Sequence, residues 1–190
     1  MNETAVSLDV LLRAFLLYGI LPAWVFFGFI DYLCHRVSKI EETTGLRETL
    51  LHSLMGLQIG VPIFLGLFFE INVLLLMVML AVLIMHEYVA HLDVKTAYGS
   101  RNLLIWELHA HSFLEVIPFV IFGLIVLLKW TAFVDLVTLN WGGGFSITLK
   151  KAPINGGFIA SYFIFMILLG FIPYTDELLR CLRARFRKAA

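Results

Sequence analysis

The sequence predicts an all-α membrane protein, a polytopic bundle of about five transmembrane helices with an amphipathic helix at its C-terminal end. Of the 190 residues, 61% are hydrophobic and only 15% are charged, and the mean hydropathy of +0.92 is strongly positive. Soluble domains carry about 25% charged residues. A helix needs about 20 mainly apolar residues to cross a bilayer, and five stretches reach or approach that length: 11–34, 50–69, 71–92, 104–128 and 155–173.

The distribution of basic residues predicts how these spans are oriented. One side of the membrane receives the segments 35–49 and 93–103 and the C-terminal tail, which together hold ten of the fourteen lysines and arginines. The positive-inside rule makes that side cytoplasmic and leaves the N-terminus outside. We therefore expect an integral membrane domain at 1–173, with its site near the cytoplasmic face, and a basic, amphipathic cytoplasmic tail at 174–190.

Carboxylates and imidazoles concentrate in the first four spans at one level, near the predicted cytoplasmic face. The stretch "MHEYVAH" at 85–91, for example, ends a run of thirteen apolar residues. At about 1.5 Å per residue, His86 lies about 20 Å into the membrane. An ionisable group at that depth costs several kcal/mol unless it faces the bundle interior and finds a partner. The sequence therefore predicts that these groups meet inside the bundle.

The spacing of these residues predicts a metal site. A carboxylate and a histidine four residues apart lie on one face of a helix, and each of the first four spans offers such a pair, as in Asp31 with His35 and Glu48 with His52. Inward-pointing Glu and His side chains on facing helices build the carboxylate-bridged dinuclear sites of helical bundles. The candidate metal ligands are Asp31, His35, Glu48, His52, His86, Glu87, Asp93, Glu107, His109, His111 and Glu115.

Within this set some roles stay open. Glu87, Asp93 and Glu115 are expected to bridge or to support the direct ligands. His109 and His111 point almost oppositely on a regular helix, so one of the two is expected to orient another ligand. The sequence leaves open which of Glu87, His91, Asp93 and His109 contact the metal. Arg101 is expected to be a solvated loop charge, with pairing to a site carboxylate or binding of an anionic head group as the alternatives.

Three segments carry a resemblance to known proteins: "DYLCHRVSKIEETTGLRETLLHSLMG", "MHEYVAHLDV" and "ELHAHSFLEVIP". Together they resemble a group of small bacterial inner-membrane proteins, which implies a location but no activity. They are more distantly similar to the histidine-rich membrane hydroxylases and desaturases, which implies two metal ions near the cytosolic face and oxidation of lipid chains. The clustered HxxxH and HxxHH motifs of those enzymes are missing from this sequence, and carboxylates are more numerous, so the likeness supports the position of the site more than the reaction.

The leading hypothesis is a dinuclear-metal oxidoreductase that acts on a lipid or another apolar substrate. Its cofactor would be two metal ions, iron favoured and zinc or manganese possible, and its electrons would come from a separate donor; nucleic acid is not an expected partner. A zinc-dependent hydrolase of a lipid amide or ester is the first alternative, and the excess of carboxylates counts against it. An intramembrane zinc protease is not expected, because "HEYVAH" lacks the HExxH spacing of those enzymes. A non-enzymatic membrane protein that binds haem or metal ions is the second alternative.

Overall fold

The computed structural model describes residues 6–142 and 144–189. The first five residues of the expected membrane domain and the last residue of the expected tail, 190, lie outside the described residues. Most of the described residues are helical. Among them there is one isolated β-bridge, between Phe69 and Leu149, and no β-strand. Five helices are long and apolar enough to cross a membrane, and they are called here the first to fifth spans: Leu8–Ser38, Leu46–Phe68, Val73–Ala97, Ile105–Leu128 and Gly156–Arg187. The predicted all-α membrane bundle is confirmed. The inner membrane and the orientation remain predictions.

Four of the spans are longer than expected, and they are longer at the same end of the bundle. The first span continues by one turn to Ser38, the second begins one turn earlier at Leu46, and the third runs on to Ala97. The fifth continues through Pro173 to Arg187, so the C-terminal segment is helical as expected but extends the fifth span instead of forming a helix of its own. These extensions place further polar side chains on regular helices at that end.

The five spans form a closed ring. The first span packs against the fourth, the fourth against the third, the third against the second, the second against the fifth, and the fifth against the first. Each span therefore has two neighbours. The apolar part of the interior is built from buried side chains of all the spans, among them Leu21, Ile63, Met79, Ile121 and Tyr162.

Two prolines inside spans are accommodated by π-helical turns. The segment Phe15–Ile20 precedes Pro22, and the segment Ile167–Phe171 precedes Pro173. A proline lacks the N–H of the helical ladder and its ring collides with the carbonyl of the preceding turn. A π turn inserts one residue and shifts that carbonyl. The first and fifth spans therefore continue past their prolines instead of ending there.

The connections at the two ends differ. The first and second spans are joined by a tight loop in which Lys39 and Gly45 have positive φ angles of 51° and 59°. At the other end Asn72 caps the third span by accepting a hydrogen bond from the Leu75 N–H at 3.1 Å. The long connection before the fifth span contains a short helix, Trp130–Val137, that the sequence did not predict. After this helix the connection passes close to the third span at Gly144, where an added Cβ would lie 2.8 Å from Val73 Cβ.

Candidate metal centre

Seven of the eleven predicted ligands meet in the bundle interior, at the end where the extended spans come together. They form three overlapping groups, in each of which one nitrogen or oxygen per residue lies within 4.8 Å of the others. The first four spans all contribute to these groups, as predicted. The seven residues are Asp31, His35, Glu48, His52, Asp93, Glu107 and His111.

The first group contains three imidazoles around one carboxylate. Oδ1 of Asp31 lies 3.2 Å from Nε2 of His111 and 3.5 Å from Nε2 of His35. The rings of His35 and His52 are stacked with their centroids 4.6 Å apart, and the His111 ring lies 6.3 Å from each of them. Three imidazoles and a carboxylate so arranged match the donor types that bind zinc or iron.

The second and third groups are richer in carboxylates. In the second, Nε2 of His35 lies 3.4 Å from Glu107 Oε1 and 3.8 Å from Glu48 Oε1. In the third, Nε2 of His52 lies 3.1 Å from Asp93 Oδ1, and Glu48 is the other carboxylate. Because His35, His52 and Glu48 each belong to two groups, the three groups form one continuous centre.

Several donor atoms of this centre are ready to bind a cation. Oδ1 of Asp31, Nε2 of His35 and Oδ1 of Asp93 are buried and, among the described residues, have no hydrogen-bond partner. Their close neighbours are the imidazole and carboxylate atoms at the distances given above. Buried polar atoms without a hydrogen bond are costly and rare in native proteins, so these three atoms fit the role of metal ligands.

Glu177, in the fifth span, completes the centre. Its Oε2 lies 3.0 Å from Nδ1 of His35, and its Oε1 lies 3.1 Å from Nδ1 of His52. The Thr49 hydroxyl donates a further hydrogen bond to Oε1 at 3.0 Å. Each imidazole is thereby held through one ring nitrogen while its other nitrogen faces the candidate ligands, the usual arrangement around metal-bound histidines.

Glu177 is not among the predicted ligands, because the sequence predicts that the fifth span ends at Pro173. A signal was nevertheless present. Tyr174, Glu177 and Cys181 recur at helical spacing, and the structure buries Glu177 and Cys181 on the side that packs against the second span. A carboxylate on the same helical face as buried residues, on a helix that continues a span, is the pattern that indicates a buried site residue such as Glu177.

Arg101 is part of the centre and is not a solvated loop charge. Its side chain is 3% exposed, and its guanidinium forms salt bridges with both Glu48 and Glu107. Burial lowers the pKa of Arg101, but the hydrogen bonds that its guanidinium donates to Glu107 and Glu48 outweigh burial and raise the pKa above its ordinary value. Arg101 is therefore a permanent cation, and within the described residues it is the only arginine or lysine in a salt bridge with the carboxylates of the centre.

Four predicted ligands lie outside the three groups: His86, Glu87, His109 and Glu115. His109 is exposed and packs edge-on against Trp106, because it stands two residues from His111 and points to the other side of the fourth span. Glu115 is exposed. His91, which was left open, is also exposed.

A cavity of about 800 Å³ lies against the centre. Its polar wall includes Asp31, His52, His86 and His111, and most of the remaining wall is apolar. Exposed side chains such as Leu57 and Phe171 also line it, so it reaches the lateral surface of the bundle. Its size is within the range of small-molecule binding sites, about 300–1,000 Å³. The centre is thus accessible from the side that would face lipid.

The fold and the centre define a class: a polytopic membrane bundle with buried histidine and carboxylate groups that are compatible with a metal site. Comparison of the chain with protein-family models, with curated proteins and with solved structures gives no match. The functional argument therefore rests on the geometry and chemistry of the centre.

Proposed function

We propose that this protein is a membrane-integral oxidoreductase whose centre holds two metal ions, most suitably iron, and acts on a lipid or another apolar substrate. The observation that carries the proposal is the charge of the centre. Five carboxylates are buried around three imidazoles, and their side chains are at most 2% exposed: Asp31, Glu48, Asp93, Glu107 and Glu177.

Buried charges of this number require compensation, because an unpaired ion in the membrane interior costs several kcal/mol. Arg101 supplies one positive charge. Two divalent cations would supply four more, and the total would equal the five carboxylates. Protonation of all three imidazoles would still leave one carboxylate uncompensated. The charge count therefore favours a dinuclear centre over a metal-free network of ion pairs.

The donor atoms favour the same conclusion. Seven side chains are too many for one ion with an open coordination position, since catalytic mononuclear sites use about three protein ligands. Carboxylates that lie between two imidazole-bearing groups, as Glu48 does, are typical of dinuclear carboxylate centres in helical bundles. Mixed oxygen and imidazole donors suit iron and manganese and also suit zinc. Two bound iron ions would supply the activation of dioxygen.

The other parts of the site are provided by the chain itself. Glu177 keeps the Nε2 atoms of His35 and His52 directed at the ligand carboxylates. The cavity binds the apolar substrate, excludes water, and brings a C–H bond to the side of the centre formed by Asp31 and His111. Oxidation of such a bond by dioxygen also consumes electrons, so a separate electron donor belongs to the proposal.

One grouping favours a second candidate. Asp31, His35, His52 and His111 alone would suit a single zinc ion that activates water against a lipid amide or ester. In that case Glu48, Asp93 and Glu107 would need another source of compensation. Arg101 pairs with Glu48 and Glu107 but not with Asp93, which makes this candidate the weaker one.

The test is elemental analysis by mass spectrometry with an optical spectrum, on full-length protein purified in mild detergent. The proposal expects about two irons per chain, no Soret band, and loss of metal in His52→Ala and His111→Ala. The matched control is His109→Ala, an exposed histidine two residues from His111, which keeps its metal. One zinc per chain supports the hydrolase instead. A Soret band, or no bound metal in protein grown with iron and zinc, overturns both candidates.

A further inference from the structure

A second cavity, of about 640 Å³, lies at the opposite end of the bundle from the metal centre. Its wall inside the bundle is apolar and includes Leu21, Ile63, Met79 and Ile121. Nothing in the proposed oxidation uses this space. Its chemistry also differs from that of the first cavity, because none of the described residues that line it is a histidine.

The mouth of this second cavity is charged. Arg13 and Lys129 are partly neutralised: Arg13 contacts Asp9 at 2.6 Å, and Lys129 contacts Glu70 at 3.5 Å. Lys150 also lines the mouth, and within the part of the chain that the structure describes it forms no salt bridge. The mouth thus has one more positive than negative charge.

Lys150 is held at the mouth by its backbone. Its N–H donates to the Phe68 carbonyl at 2.9 Å, and the Glu70 N–H donates to the Thr148 carbonyl at 2.9 Å, so this stretch is fixed against the end of the second span. Burial and the neighbouring Lys129 lower the pKa of Lys150. A half-buried ammonium group that is repelled by a neighbouring cation gains stability from an added anion.

The depth of the cavity matches one lipid chain. From Lys129 at the mouth to Pro118 near the inner end, both of which line the cavity, the fourth span advances by eleven residues, about 16 Å. Half the hydrocarbon thickness of a bilayer is about 15 Å. An apolar channel of that length with cations at its mouth fits an acyl chain below an anionic headgroup.

We propose that the second cavity binds an anionic phospholipid of the surrounding membrane, with the phosphate at Lys150, Lys129 and Arg13 and one acyl chain along the apolar wall. The basic residues of the mouth select the headgroup by charge, as basic residues near a membrane surface do. The site does not depend on the function proposed for the metal centre.

The experiment is native mass spectrometry and thermal melting of the delipidated full-length protein, titrated with phosphatidylglycerol or with phosphatidylcholine of the same chains. We expect one phosphatidylglycerol to bind and raise the melting temperature, and Lys150→Gln to weaken this binding about fivefold, the effect of about 1 kcal/mol per basic residue. The matched control is Lys151→Gln, because Lys151 is the exposed neighbour and does not line the cavity. A second variant, Leu17→Trp, obstructs the apolar wall and is expected to lose phosphatidylglycerol while keeping the headgroup cations.

Equal binding of the two lipids, or equal effects of Lys150→Gln and Lys151→Gln, overturns the proposal, as does full binding in Leu17→Trp. Inorganic phosphate that stabilises the protein as well as the lipid does would show an anion site without a lipid and overturns it too. Metal content, measured in the same samples, is expected to be unchanged in all three variants. Loss of the lipid site and loss of the metal centre are thereby distinguished.

Discussion

The two carboxylate oxygens of Glu177 connect His35 with His52, at 3.0 Å from one Nδ1 and 3.1 Å from the other. The two imidazoles are stacked with an angle of 6° between their planes. One residue of the fifth span thus fixes two candidate ligands that belong to the first and second spans. It links the C-terminal helix to the chemistry of the bundle.

Glu177→Gln is therefore expected to weaken metal binding by about 10–100-fold, the usual effect of removing a carboxylate that orients metal-bound histidines. An amide offers only one oxygen, so it can accept a hydrogen bond from one of the two N–H groups and turns a donor toward the other. The measurement is a titration of the metal-free protein with Fe²⁺ or Zn²⁺ against a competing chelator. The control is Asp176→Asn, because the neighbouring carboxylate contacts Arg36 and Arg180 instead of the histidines. Equal affinities of the two variants would show that Glu177 has no such role.

Arg101→Gln is expected to destabilise the metal-free protein more than the metal-bound protein. Without its guanidinium, Glu48 and Glu107 lose the one arginine or lysine that pairs with them among the residues that the structure describes, and breaking a buried ion pair costs about 3–5 kcal/mol. Bound metal compensates part of that charge, so the loss should be smaller when the centre is filled. Thermal melts with and without chelator measure the difference. The control is Arg47→Gln, which changes an exposed arginine one residue before Glu48 and should melt like the unchanged protein in both conditions. If Arg101→Gln lowered the melting temperature equally with and without metal, Arg101 and the metal would not share in compensating the carboxylates.

The sequence predicted the spans well, because length and apolar composition are decisive in a membrane. It also predicted seven of the residues that meet in the centre, and in the first, second and fourth spans these include a carboxylate and a histidine four apart, a pair that can be satisfied only in the interior. In the third span the corresponding pair, Glu87 and His91, stays outside the centre and Asp93 enters it instead. Which polar residues meet depends on how each span is rotated about its axis, and periodicity is weak in spans that are apolar all round. His86 and His109 illustrate this: both have the right depth, but rotation places one beside the cavity and the other on the surface.

Glu177 and Arg101 could not be placed for a different reason. Both lie in segments that the sequence assigns to loops or tails, where a charged residue is ordinarily solvated. The fifth span reaches Glu177 only because a π turn accommodates Pro173, and Arg101 enters the centre only because the loop between the third and fourth spans folds inward over Glu48 and Glu107. Tertiary structure determines both, and local sequence carries little information about it.

If the centre holds metal as proposed, removing the metal is expected to lower the melting temperature of the whole bundle. A ligand that binds only the folded state at about 100 times its dissociation constant stabilises it by about 2.7 kcal/mol, and each kcal/mol corresponds to about 2–4 °C for a chain of this size. A decrease of about 5–10 °C after treatment with a chelator should therefore be reversed by adding the native metal. In His111→Ala the chelator should have little effect. A chelator effect of the same size in that variant would place the stabilising metal elsewhere.

If the chain is the oxidoreductase proposed above, filling the first cavity is expected to abolish oxidation of its substrate without removing the metal. Gly60 lines this cavity, and a Cβ built on it meets no atom within 4 Å, so Gly60→Phe has room to project into the space beside the centre. The metal ligands are untouched, and metal content should stay at the level of the unchanged protein. The measurement is mass spectrometry of lipids extracted from cells that express each variant, compared with metal content per chain. Gly123→Phe is the control, since Gly123 is equally open but exposed and outside both large cavities. Oxidised lipid that persists in Gly60→Phe, or that disappears equally in Gly123→Phe, would exclude the cavity as the substrate site.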